Sequence, residues 1–150
     1  MKKRVDACEE IYERIKADRV TIGLKTFKRT PTSAAKIEEM PICFMTDGVD
    51  TIVKRSSRAA SPTRKGEGNT RSLEVILEIV CHIDSEILEI YKKVRAAVLA
   101  DIHPLKDVDG NIDGSTYMYE ERTEGPIGYN VPEIVAMIFV ITLVYVDDII

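Results

Sequence analysis

The run Ile134 to Val146, IVAMIFVITLVYV, contains no charged side chain over 13 residues. No other part of the chain constrains the fold so strongly. A helix needs about 20 apolar residues to cross a bilayer, so the run is too short for a membrane span. Its β-branched and aromatic residues face both ways along an extended backbone, as expected for a central strand covered on two sides. The chain must supply neighbours for that strand and layers for both faces. With 150 residues, 45% of them apolar and 31% charged, it is long enough for one domain with a single core and far from the composition of a disordered polymer.

Periodicity supplies the neighbours. From Arg4 to Ala17, Val5, Cys8, Ile11, Tyr12 and Ile15 recur at steps of three and four, which predicts an amphipathic helix. Residues 21–27 and the Thr/Pro/Ser stretch after them read as an irregular or extended connection. Pro41–Met45 and Thr51–Lys54 are β-prone runs on either side of Asp47-Gly48, and that dipeptide predicts a hairpin turn. Between Arg55 and Arg71, Ser, Ala, Pro, Gly and basic residues without periodicity predict a long surface loop. Ser72 to Asp84 alternates as a strand, with Leu73, Val75, Leu77, Ile79, Cys81 and Ile83 on one face. Asp84 or Ser85 should then cap a helix with Ile87, Tyr91, Val94, Val98 and Ile102 as its stripe, stopped by Pro104. Residues 117–121 read as a short strand ended by Gly125-Pro126-Ile127-Gly128. The expected class is α+β, a mixed and mostly antiparallel sheet packed against two main helices, with residues 1–150 as one domain.

Chemistry-bearing motifs are scarce. There is no G-x-S-x-G elbow, H-E-x-x-H helix, P-loop or G-x-G-x-x-G turn. The two histidines read as a polar-face strand residue, His82, and a cation at a helix C-terminus, His103. The three cysteines, Cys8, Cys43 and Cys81, are widely spaced in apolar segments and are expected to be reduced core residues, which suits synthesis in the cytosol. Met1-Lys2-Lys3-Arg4 is followed by acidic residues instead of an apolar stretch, so the N-terminus is expected to belong to the fold. Asp109, Asn111, Asp113, Gly114 and Glu120 satisfy a calcium-loop pattern. Thr116 stands where such loops carry an aliphatic, however, and the following residues are β-prone, so a solvated acidic turn is the preferred reading. No catalytic, cofactor-binding or metal-binding residue is expected; a small calcium-binding module is an alternative.

Charge is unevenly placed. Lys54, Arg55, Arg58, Arg64, Lys65 and Arg71 face only Glu67 in one segment, although the chain as a whole is −4. Residues 101–124 are acidic in turn. This asymmetry permits head-to-tail pairing of subunits, with charges setting register and apolar burial holding the assembly. The six cations are the candidate subunit or tube interface. A pI near 5.3 and the absence of aromatics among them argue against a dedicated nucleic-acid binder.

Taken in order, MPICFMTDG, RSLEVILEIVCHIDSEILEIYKKVRAAVLADI and EIVAMIFVITLVYV resemble the tail-terminator, or tail-completion, proteins of long-tailed bacteriophages. The resemblance rests on element order and length across nearly the whole chain, because the family has no sharp motif. It implies a small α+β subunit forming a ring, hexameric in the family pattern, at the head-proximal end of the tail. Such a ring stops polymerisation of the tail tube and offers a surface for head attachment. The implied partners are further copies of the chain, the tail tube protein and a head-tail connector protein. DNA would pass through without sequence-specific recognition. The implied location is the virion, after synthesis in host cytoplasm. Another head-to-tail connector or a minor tail subunit fits the same size and class.

Overall fold

The computed structural model describes residues 2–29, 36–54, 68–128 and 131–147, with Lys54 described by its backbone alone. In chain order the elements are α1 (Lys2–Ala17), α2 (Arg19–Ile22), β1 (Thr26–Arg29), a 3-10 turn (Ile37–Glu39), β2 (Ile42–Lys54), β3 (Thr70–His82), α3 (Ile87–Leu99), β4 (Tyr117–Gly128) and β5 (Ile134–Val146). The five strands form one sheet in the order β1-β2-β3-β5-β4. Only β1 and β2 run parallel; the other pairs are antiparallel. The molecule is thus α+β, with a mixed, mostly antiparallel sheet packed against two main helices.

β5 occupies the inner position that its sequence demands. Thirteen consecutive pairs join it to β3, from Thr70↔Val146 to His82↔Ile134, and β4 lies along its other side. One face of the sheet carries Leu73, Val75, Leu77, Ile79 and Cys81 of β3 and Met137, Phe139, Ile141, Leu143 and Tyr145 of β5, all buried with α1 and α3 in one core. α1 contributes Ala7, Cys8, Ile11 and Ile15, and α3 contributes Ile87, Ile90, Val94 and Val98. All three cysteines are buried and unpaired. On the opposite face a smaller cluster of Ile42, Phe44, Val80, Ile134 and Ala136 packs against Met40. Further along that face Arg122 reaches toward Glu74, 3.7 Å from Nη1 to Oε1. The two residues lie on strands that flank β5, so this contact spans β5 beside Val140 and Thr142.

The structure corrects several sequence expectations. Asp47-Gly48 makes no hairpin, because β2 is one strand and those residues lie at a register shift between Asp47↔Val75 and Asp50↔Leu73. A Cβ on Gly48 would meet the Glu74 Cβ at 3.0 Å and the Ile76 side chain at 3.1 Å, so the glycine serves close strand approach instead of a turn. Likewise β4 does not end at Gly125-Pro126. It continues to Gly128 through shifts at Glu120/Arg122 and Glu124/Ile127. The predicted loop 55–71 gives up Thr70 and Arg71 to β3. Three residues assigned to apolar stripes are exposed instead: Val5, Ile83 beyond the end of β3, and Ile102 beyond the end of α3. The N-cap of α3 is Glu86, without a side-chain cap bond, in place of Asp84 or Ser85.

Candidate functional site

Of the six cations predicted to form an interface, Arg55, Arg58, Arg64 and Lys65 lie outside the described residues. Lys54 is the last residue of β2, paired with Thr70, and Arg71 follows in β3. The segment 55–67 therefore departs from and returns to one end of the sheet. At that end Asp50 gathers three donors. Arg4 Nη1 is 2.8 Å away, Arg71 Nε 3.1 Å and the Tyr145 hydroxyl 2.6 Å. Arg4 also reaches Asp47 at 3.1 Å. The contact with Asp50 raises the Arg71 pKa. For Arg4, partial burial works against the charge, but the Asp47 and Asp50 carboxylates outweigh it and the pKa is raised. Burial, then the Asp50 bond, pushes the Tyr145 phenol up to about 12. Arg71 thus anchors the root of the basic segment to β5 and α1, an internal role, and is not the free cation its place in a basic run suggested.

The calcium-pattern residues do not converge. Asp113 accepts Lys3 at 3.1 Å and the Ser115 hydroxyl at 2.6 Å. Asp107 accepts the backbone N–H groups of Asp109 and Asn111, both at 2.9 Å. Glu120 sits on β4, where Arg95, Thr123 and Tyr91 all donate to it. A strand, not a helix, follows Gly114. Among the described residues no group of three or more His, Cys, Asp or Glu side chains is arranged to hold a metal ion. The two histidines do not meet either. His82 closes β3, its Nδ1 accepting the Asp84 N–H at 3.2 Å and its Nε2 3.4 Å from Glu133. His103 lies beyond α3, not at its C-cap, with Nδ1 3.2 Å from the Thr116 carbonyl.

What sequence reading missed is the other end of the sheet. There β3 ends, β5 begins, β4 ends and α3 starts. Ile83, Leu88, Ile127 and Val131 are 44 to 58% exposed. Ser85 to Glu89 and Pro126 line an open groove of about 420 Å³. Glu86 and Glu89 stand in its wall, and Asp84, Glu124 and Glu133 are exposed at the same end of the sheet. Among the described residues Lys92 contacts Glu89, Arg122 contacts Glu124, and His82 lies between Asp84 and Glu133. An apolar patch bordered by charge is the form of a protein-docking surface. The residues at this end come from three separate stretches of sequence, so no linear signal marks it.

The sequence matches no protein-family model and no curated protein. Among solved structures it is similar to a chain from the virion of a native gene transfer agent particle, at 12% identity, over 91% of this chain and 92% of that one, with a TM-score of 0.48. At that identity and score the likeness is one of general shape and assigns neither a family nor a role.

Proposed function

We propose that this chain is a non-catalytic structural virion subunit of the tail-terminator type. Copies assemble into a ring, a hexamer in the family pattern, that caps the tail tube, ends its polymerisation and presents the surface for head attachment. The observation that carries the reading is the order and extent of the elements. MPICFMTDG enters one long strand, RSLEVIL to ADI runs from β3 through α3, and the terminal apolar run forms β5, the order on which the sequence resemblance rests. The polar side chains add support. Those on the helix-covered face are engaged in internal networks, such as Asp50 with Arg4, Arg71 and Tyr145, while Ile83, Leu88, Ile127 and Val131 stay in solvent at one end of the sheet. Such surfaces serve association. Another head-to-tail connector subunit would share them.

Light scattering across a concentration series, with negative-stain images, tests the proposal. Closed rings of about six copies, alone or after addition of tail-tube protein, with a hole wide enough for duplex DNA, are the expected result. Monomers under both conditions would remove the ring reading.

A further inference from the structure

We infer that the groove at the start of α3, lined by Ser85, Glu86, Leu88, Glu89 and Pro126, is the receptor for the basic segment 55–67 of a second copy of this chain. The inference rests on the ring-subunit reading and gives it a specific contact.

Topology separates donor from receptor. The basic segment leaves β2 at Lys54 and re-enters at β3, at the end of the sheet where Thr70 pairs with Val146. The receptor lies at the opposite end, where His82 pairs with Ile134. β3 is 13 residues long, which at roughly 3.3 Å per residue puts the two ends about 40 Å apart. Residues 55–67 number 13, and a loop that must return to its start can reach about half its contour length, roughly 23 Å. A copy cannot place this segment on its own receptor. A neighbour can.

Charge selects the occupant. Arg55, Arg58, Arg64 and Lys65 against Glu67 give the segment a strong positive excess. Among the described residues Glu86 has no lysine or arginine partner, and Glu89 meets Lys92 alone. In the turn 107–113 two of the three aspartates are less available, Asp109 remaining exposed. The Asp113 carboxylate is engaged by Lys3, Ser115 and Thr116, and that of Asp107 by its own turn. The groove beside Leu88 and Pro126 offers apolar contact to Ala59, Ala60 and Pro62 of the incoming segment. Because donor and receptor are different surfaces, the contact is heterologous, and it closes into a ring when the rotation per step divides a full turn.

Reciprocal charge reversal in the full-length chain tests this. One variant carries Glu86→Lys and Glu89→Lys; the other carries Arg58→Glu, Arg64→Glu and Lys65→Glu. In each alone, donor and receptor bear like charge, and sedimentation at low salt should show association weakened by on the order of tenfold or more. An equimolar mixture restores opposite charge at every contact and should recover assembly at one-to-one stoichiometry. Circular dichroism and melting temperature establish that both variants fold, and a milder Glu86→Gln, Glu89→Gln variant should show a smaller loss of the same kind. Wild-type-like assembly by the receptor variant, or a mixture of folded variants that stays dissociated, overturns the inference while the ring reading stands if wild-type rings form. Loss of assembly on Asp107→Lys, Asp109→Lys but not on receptor reversal would move the contact to the turn and likewise overturn it. A wild-type chain that stays monomeric at low salt also overturns it, and the tail-tube experiment then decides the ring reading separately.

Discussion

Single residues set where the sheet bends. Gly125 holds φ at +108°, and a Cβ there would stand 2.8 Å from the Ala136 carbonyl oxygen. Gly125→Ala would add both left-handed strain and a backbone clash, so it should lower stability by about 1–3 kcal/mol, measured by urea unfolding. Gly48 shows why such positions are hard to read from sequence. Asp-Gly signals positive φ, yet here the glycine is used for its missing side chain beside Glu74 and Ile76, and nothing local distinguishes the two uses. Tyr145 gives a pH prediction. Its phenol titrates near 10 when unfolded and about 12 in the fold. The stabilisation from the neutral hydroxyl is therefore complete below pH 10 and is lost as pH rises toward 12. Tyr145→Phe should be less stable at neutral pH through loss of the Asp50 bond, and its melting temperature should fall less between pH 9 and 11.5 than that of the wild type.

Among the elements, β5 was legible to the residue and β3 to within two residues at each end, because their patterns are regular: apolar on both faces in one, alternation in the other. β2 and β4 were not. Each contains bulges, and an extra residue shifts the alternation midway, so one long strand reads as a short strand plus a turn. The two main helices were found from their stripes; α1 was drawn two residues short at its start, and α3 too long, because Ile102 is apolar and only the backbone shows that α3 has already ended. α3 is tied to β4 by Glu120, which accepts from Arg95, Thr123 and Tyr91. Partial burial disfavours the charge of Glu120, but these donors outweigh it and its pKa is lowered. The contribution is present above the ordinary carboxylate range and is lost as pH falls through the lowered value. Glu120→Gln should accordingly flatten the fall in melting temperature below pH 4.5 while reducing stability at pH 7.

For the molecule as a whole, the basic half of the proposed interface could be counted in the sequence, while the acidic half exists only after folding brings residues 82–89, 124–127 and 131–133 to one end. Removing residues 58–66 and keeping Gly68, which is buried, should leave the melting temperature within a few degrees of wild type and reduce self-association in sedimentation. Raising salt from 0.05 to 0.5 M should do the same to the intact chain, as screening shortens the reach of exposed charges. The sheet order has a consequence for biosynthesis. β5 is inserted between β3 and β4, yet it follows both in sequence. Until residues 134–146 have left the ribosome, β3 lacks one of its two neighbours and β4 lacks the only strand with which it pairs. The nascent polypeptide consequently cannot complete its core during translation, and the order of synthesis leaves the hydrophobic faces of β3 and α3 uncovered by β5 until the central strand arrives.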